Sequence, residues 1–344
     1  MSREPATHTY KTVGDCQIKA DVYRLPAGSM PVPVLVYIHG GCLMYGSRKS
    51  VDTWQLELYL QAGYAVVSID YRLAPETKLP AIIEDLRDAF RWIAEVGPGL
   101  FNADPQRLAV VGHSAGGYLA QMAGCAAQPR PRAIVSFYGY GDIIGDWYSK
   151  PDPYYCQQPA VSLEGSEWHR PGPETAELYE GRGKGGLYLY CRQQGLWPLA
   201  VGGVDPAAEP SFFTPYCPVQ HVAPDYPPTL LLHGDVDTDV PYAQSVLMAA
   251  ALSQHRVRHE LVTMAGLGHG FDGQMDDAPV KEAFDRVLAT RFGVAAIDLI
   301  HKGDYGKMVS LQGTQIVAIP ISEAVGQLKM VGDDLYDIAR IFFG

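Results

Sequence analysis

Leu108-Ala109-Val110-Val111-Gly112-His113-Ser114-Ala115-Gly116-Gly117 is the stretch on which the reading of this chain turns. Its apolar run has the pattern of a buried strand, the G-x-S-x-G core follows, and the small and apolar residues from Ala115 to Ala127 read as a helix. A serine at so sharp a strand-to-helix turn sits on strained backbone with its hydroxyl presented outward. Gly112 and Gly116 are needed there because larger side chains would collide with adjacent strands. The helix N-terminus at Ala115 offers backbone N–H groups and a favourable dipole to a developing oxyanion. The bare pattern also fits a tight turn, but the strand before it and the helix after it favour the chemical reading.

On either side of this stretch, short runs rich in Val, Ile and Tyr alternate with longer amphipathic stretches, the pattern of an α/β protein with helices on both faces of a mostly parallel sheet. A hairpin is expected from His8 to Tyr23, turning at Gly14-Asp15. Further strands are expected at Val32 to His39, Tyr64 to Asp70, Arg107 to Gly112, Ala133 to Tyr138, Thr229 to His233 and His259 to Met264. Helices are expected at Thr53 to Ala62, Pro80 to Glu95, Ala115 to Ala127, Tyr242 to Ser253 and Val280 to Arg291. From about residue 141 to 227 no core strand is legible, but aromatic residues crowd among Pro and Gly. So long an interruption reads as an inserted, cap-like element over a site, with an ornament on the sheet edge as the alternative. Trp147, Tyr154, Tyr155 and Trp197 are the expected lining of a substrate pocket, one short enough to favour short acyl groups.

A serine hydroxyl is a weak nucleophile and needs a base, an acid to orient that base, and an oxyanion hole. After the strand ending at Leu232 comes His233-Gly234-Asp235-Val236-Asp237-Thr238-Asp239-Val240-Pro241, with three carboxylates on a strand-end loop. After the next strand comes Gly266-Leu267-Gly268-His269-Gly270-Phe271, a histidine between glycines. The order is serine, acid, histidine, unlike the orders of chymotrypsin and subtilisin. Tyr37-Ile38-His39-Gly40-Gly41-Cys42, at the end of an early strand, is the candidate for a loop whose N–H groups complete the hole.

These motifs, with Ser68-Ile69-Asp70-Tyr71-Arg72-Leu73-Ala74-Pro75-Glu76, make the stretch from about Thr9 to Arg291 resemble α/β-hydrolase esterases. The likeness is to the hormone-sensitive-lipase-like and acetyl or feruloyl esterase-like groups. The resemblance implies Ser114 as nucleophile, His269 as base, and Asp237 as acid, because the family's H-G-x-x-D-x-x-V-P places its acid at the fifth position; Asp235 is the second candidate. It implies an oxyanion hole from the N–H groups of Gly41, Cys42 and Ala115, and no metal or organic cofactor. Two positions depart from the family: Cys42 stands for the third loop glycine, and His113 precedes the serine where hormone-sensitive-lipase-like enzymes usually carry Asp. His113 is read as a packing or hydrogen-bonding residue. The last 62 residues, Ala283 to Gly344, resemble the C-terminus of phosphofructokinase without that family's Q-R-G-G segment, so a fusion is expected: residues 1–292 a catalytic domain, 293–344 an appended α+β tail. Strands at Lys307 to Leu311 and Gln315 to Ile319, a turn at Leu311-Gln312-Gly313-Thr314 and a helix at Asp334 to Phe343 are expected in it.

The chain of 344 residues is 47% hydrophobic and 19% charged, enough apolar material for a sizeable core, which excludes a disordered or collagen-like chain. Its 27 basic against 38 acidic residues, a formal charge of -11, speak against nucleic acid or anionic membrane as partners. The mean hydropathy is -0.06, no apolar run approaches a spanning helix, and the first residues lack a signal-peptide core, so a cytoplasmic protein is expected. The six cysteines show no C-x-x-C pair and read as reduced thiols. The expected activity is hydrolysis of a small carboxylic ester through an acyl-enzyme, with the tail available for self-association. A prolyl-oligopeptidase-type peptidase and a non-catalytic binding protein on the same fold are the alternatives; a sugar-phosphate kinase is suggested by the tail alone.

Overall fold

A computed structural model describes residues 4–25, 31–166, 168, 172–177, 185–273, 280, 307–312 and 315–320. The chain divides into two compact units, Met1–Leu288 and Ala289–Gly344.

The first unit is built on eight strands: β1 (Ala6–Val13), β2 (Cys16–Tyr23), β3 (Val32–Ile38), β4 (Ala65–Ile69), β5 (Ala103–His113), β6 (Ala133–Phe137), β7 (Thr229–Gly234) and β8 (His259–Met264). They lie in the order β1-β2-β4-β3-β5-β6-β7-β8. β1 and β2 form the expected antiparallel hairpin, β2 runs antiparallel to β4, and every later neighbour is parallel. All of the expected strands of this unit are present, His259–Met264 at both its expected ends and the others with ends shifted by at most four residues.

Period-two alternation divides the core. Val34, Val36, Ile38, Val110, Ile134 and Leu231 pack on one face of the sheet with α2 (Leu79–Glu95), α3 (Ala115–Ala126) and Met248 and Leu252 of α5 (Ala243–Gln254). Leu35, Tyr37, Val111, Val135, Phe137, Leu230 and Leu232 pack on the other face with Leu56, Tyr59 and Leu60 of α1 (Thr53–Gln61). Because parallel strands are covered on both faces, they read as near-continuous apolar runs rather than alternating ones. Val280, the first residue of the expected helix after β8, is buried in that second cluster; residues 281–291 lie outside the described set.

Between β6 and β7, the described residues of the interruption contain no strand but several short helical turns and α4 (Gly185–Gln194). It is tied to the body by charge and hydrogen bonds. Arg48, buried between Asp21 (3.0 Å) and Asp70 (2.6 Å), also meets Glu177 at 2.9 Å, while Glu174 accepts from Thr77 at 2.9 Å. None of the six cysteines forms a disulfide. Among the described residues no helix is long and apolar enough to cross a membrane, and no group of three or more His, Cys, Asp or Glu side chains is placed to hold a metal.

In the second unit, β9 (Lys307–Gln312) pairs antiparallel with β10 (Gln315–Pro320), Gln312 facing Gln315. Gln312, expected in the turn, belongs to the strand; Gly313, Thr314 and the stretch Asp334 to Phe343 lie outside the described residues.

Candidate active site

β5 ends at His113, and the next residue, Ser114, has a φ of 56° and a ψ of -119° that place it in the left-handed half of backbone space between strand and helix. Strain of this kind costs about 1–3 kcal/mol and persists only where the surroundings over-determine it. Here they do. A Cβ on Gly112 would lie 2.0 Å from the carbonyl oxygen of Gly116, and a Cβ on Gly116 would lie 2.0 Å from that of Ile38. The Ser114 amide donates to the Phe137 carbonyl at 2.9 Å, and the Ser114 carbonyl accepts from Tyr118 at 3.0 Å.

The loop after β3 abuts this turn: a Cβ on Gly40 would come within 3.3 Å of the Ser114 Cβ. Gly41, Cys42 and Leu43 run through φ values of 106°, 47° and 63°. Each relevant peptide plane is fixed through its carbonyl. The Gly40 oxygen accepts from His39 Nδ1 at 2.7 Å, and the Gly41 oxygen accepts from Met44 and Tyr45 at 2.8 and 3.0 Å. In a trans peptide the N–H points opposite to the C=O. The Gly41 and Cys42 amides are therefore aimed away from those bonds, as the Ala115 amide is aimed away from the helix by the Ser114 carbonyl. His39 is buried and its ring is held neutral, pushed down to about 4 by burial against the hydrogen bond to Gly40. The Cys42 thiol is buried, which pushes it well above its ordinary value.

Asp237 and His269 leave consecutive parallel strands, β7 and β8. Val236 donates to Leu267 at 3.3 Å and Gly266 to the Asp235 carboxylate at 2.7 Å, so the two loops are laced together. A Cβ on Gly234 would stand 2.1 Å from the Leu267 oxygen. His269 Nδ1 meets Asp237 Oδ2 at 2.7 Å. Asp237 Oδ1 accepts the amides of Asp239 and Val240 at 2.8 and 2.9 Å, and His233 Nε2 lies 3.3 Å from Oδ2. Burial alone would raise the Asp237 carboxyl, but the bonds from His233 and His269 outweigh it and hold it well below the usual carboxylate range. His269 is raised: burial works against its charge, while Asp237, Asp239 and Asp272 favour it. Asp235, the second candidate for the acid, bonds the Gly266 amide, with no bond to the imidazole among the described residues.

The expected pocket residues sit in an aromatic stack. Trp197 is fully buried, stacked on Tyr148 at 4.0 Å, and its Nε1 donates to the Cys42 carbonyl at 3.1 Å. This corrects its expected place: a side chain with no exposed surface lines no entrance, and Trp197 instead props the glycine loop. Trp147 stacks on the other ring of the pair, Tyr148, at 3.5 Å. Tyr154 is 46% exposed and packs edge-on against Tyr155. Tyr155 reaches the acid loop, donating to Asp239 Oδ1 at 2.7 Å.

Two groups escaped sequence reading. Behind the serine, Asp272 accepts from Tyr138 and from Gln55 (2.7 Å) and lies 3.2 Å from His113 Nε2, while His113 stacks on Phe137 at 4.6 Å. His113 is lowered, burial outweighing Asp272, which keeps it neutral and in a packing role. The Tyr138 ring also packs against His269 at 4.4 Å. The other group joins Tyr188, Arg192 and Asp239. No sequence signal points to it: that Arg192 is buried, and that its guanidinium therefore requires anionic partners, becomes visible only in the fold.

A family model described as alpha/beta hydrolase fold matches residues 35–170, and one described as the prolyl oligopeptidase family matches residues 200–288. The non-reducing polyketide synthase Preu6 of Preussia isomera is 30% identical over 80% of this chain, and atr1 of Stereocaulon alpinum is 28% identical over 77%. The chain spans only 14% and 12% of those two proteins. Among solved structures, an esterase from Pyrobaculum calidifontis matches with a TM-score of 0.62 at 26% identity, covering 86% of this chain and 87% of that one. An acetyl ester-xyloside bifunctional hydrolase from Caldicellulosiruptor lactoaceticus matches with a TM-score of 0.63 at 21% identity, covering 85% and 97%. Together with the strand order and the strand-to-helix turn at Ser114, these likenesses make the architecture of this chain the α/β-hydrolase fold.

Proposed function

We propose that the chain is a serine carboxylic-ester hydrolase acting on small, short-acyl esters. The observation that carries the reading is the 2.7 Å contact of His269 with the buried Asp237 on the loops beyond β7 and β8, in a fold whose strained turn presents Ser114. In this reading Ser114 attacks the ester carbonyl while His269 Nε2 takes the hydroxyl proton. Asp237 holds the proton on Nδ1 and stabilises the imidazolium, and the amides of Gly41, Cys42 and Ala115 receive the oxyanion. The imidazolium then protonates the departing alcohol, leaving an acyl-serine. Water, deprotonated by the same imidazole, attacks that ester and releases the acid, and the proton returns to Ser114.

The chemistry is complete with these side chains and backbone groups. An acyl thioester is a second substrate class, favoured by the similarity to segments of non-reducing polyketide synthases. A peptidase is favoured only by the match over residues 200–288, which contains the acid and histidine loops but not Ser114. The tail takes no part in this chemistry. The test is fluorophosphonate labelling together with hydrolysis of p-nitrophenyl acetate, an acetyl thioester and a proline-containing peptide. Labelling lost in Ser114→Ala and turnover of the ester are expected, with residual turnover below about one part in a thousand. A protein that is neither labelled nor active on any of the three would overturn the reading.

A further inference from the structure

Among the described residues, the interruption between β6 and β7 is linked to the imidazole through one side chain, Asp239. Its Oδ1 accepts from Tyr155 (2.7 Å), Tyr188 (2.5 Å) and Arg192 Nη1 (2.9 Å), and Nη1 also donates to the Asp239 carbonyl at 2.8 Å. Its Oδ2 lies 3.5 Å from His269 Nε2. Since Asp237 holds Nδ1, each nitrogen of the ring faces a carboxylate.

The clamp on Oδ1 is rigid for a physical reason. Arg192 is 1% exposed, its Nη2 donates to Asp152 at 2.6 Å, and its guanidinium carbon lies 4.5–5.7 Å from the centres of the Trp147, Tyr148, Tyr155 and Tyr188 rings. A cation buried among aromatic faces and two carboxylates cannot swing out without losing all of these partners together.

Building on the hydrolase reading above, we infer that Asp239 is a positioning residue: the aromatic insertion fixes its Oδ1 so that Oδ2 stays beside His269 Nε2 and sets the pH at which the imidazole becomes a free base. A neutral ring turns the lone pair of Nε2 toward an anion, whereas an imidazolium turns an N–H toward it, so Asp239 favours the protonated ring. The raised titration of His269 agrees in direction. The other groups facing the ring are Asp237 on the same loop as Asp239, Asp272 beyond β8, neutral His113 at the end of β5, and the Tyr138 ring. Asp237 and Asp272 push in the same direction as Asp239 but have no bond to the insertion among the described residues. Among the described residues, Asp239 is therefore the group through which the insertion acts on the ring. The arrangement carries a cost and a gain. The resting ring stays protonated to a higher pH, but the cation formed during serine attack develops between two carboxylates.

The experiment follows His269 in the full-length protein by NMR titration of its ring protons, assigned with His269→Gln. The pH dependence of kcat/KM for p-nitrophenyl acetate is recorded alongside. Asp239→Asn is expected to move both the titration midpoint and the acid limb to lower pH by about one unit. Tyr155→Phe with Tyr188→Phe, which keeps the carboxylate but loosens it, is expected to move both by less in the same direction. An unmoved midpoint in Asp239→Asn overturns the inference however far the rate falls, since a merely structural role lowers rates without moving the profile. If Asp239→Asn fails to fold, an unmoved midpoint in the double tyrosine variant overturns it. A moved midpoint in a protein that shows neither labelling nor turnover upholds the positioning and removes the hydrolase reading. Labelling and turnover with an unmoved midpoint do the reverse.

Discussion

The turn at Ser114 and the loop at Asp239 lie on the same site and are held by opposite means. At Ser114 the constraint is steric and close in sequence: two glycines four residues apart, at each of which a Cβ would meet a backbone oxygen at 2.0 Å. At Asp239 the constraint is polar and distant, with partners 47, 51 and 84 residues away in the chain. Steric constraints of the first kind tolerate no substitution but need no partner. Polar constraints of the second kind survive conservative change, and they allow another part of the protein to adjust the chemistry.

The largest effect is expected at Asp237. On the proposed mechanism, Asp237→Asn should lower kcat about 10³- to 10⁴-fold by undoing the tautomer and the charge on His269, the scale of loss seen in Ser-His-Asp enzymes. Asp235→Asn, whose amide oxygen can still accept from Gly266, should retain most activity; steady-state kinetics on one ester with the two variants decides. If Asp235→Asn were the more damaged, the acid would be misassigned.

Stability separates the two regions next. Gly116→Ala should cost about 3 kcal/mol or more, at or beyond the top of the usual overpacking range because the obstacle is backbone. Arg192→Met should cost about 2 to 4 kcal/mol, somewhat under the loss for a fully buried pair because Asp152 and Asp239 keep partial access to water. Urea unfolding measures both. Fluorophosphonate labelling of the folded fraction should persist in the arginine variant.

The pH dependence follows from signs. His269 is raised above 6.5, so activity should be lost as pH falls through a midpoint above 6.5. Its contribution to stability is fully present below 6.5 and is lost as pH rises through the raised midpoint, so the protein gives up some stability in the window where it becomes active. Asp237 is depressed: its contribution is present above 3.8 and is lost as pH falls through a value well below that. Thermal melts from pH 3 to 9 beside a rate profile test both. The smallest effect is expected from truncation after Gly293, which should change kcat/KM for a small ester by less than about twofold, within the error usual for changes at independent sites.

How much of this was legible follows the same division. The turn at Ser114 could be read because strand, glycines and helix are contiguous, and the Asp237 to His269 pair because each follows an apolar strand at a fixed offset. The mostly parallel sheet and the places of its strands along the chain followed from the alternation of apolar runs and helices, whereas their order across the sheet depends on pairings between residues far apart in the chain. The partners of Asp239 could not be read: Tyr155 and Tyr188 look like any aromatic residues in a Pro- and Gly-rich stretch, and only folding brings them to the loop. Asp272 was hidden likewise, since its partner Tyr138 lies 134 residues earlier. Trp197 was noticed for its size, but sequence carries no information on whether an indole faces a cleft or a carbonyl.

That indole gives the site an optical reporter. The chain has five tryptophans, and Trp197, fully buried, is hydrogen-bonded to the Cys42 carbonyl in the loop expected to receive the oxyanion. Indole emission responds to the strength of the bond at Nε1 and to the dipoles around the ring. An acyl group or inhibitor that draws on the peptides of that loop should therefore change the colour and lifetime of Trp197 emission before any product forms, and Trp197→Phe would remove the signal.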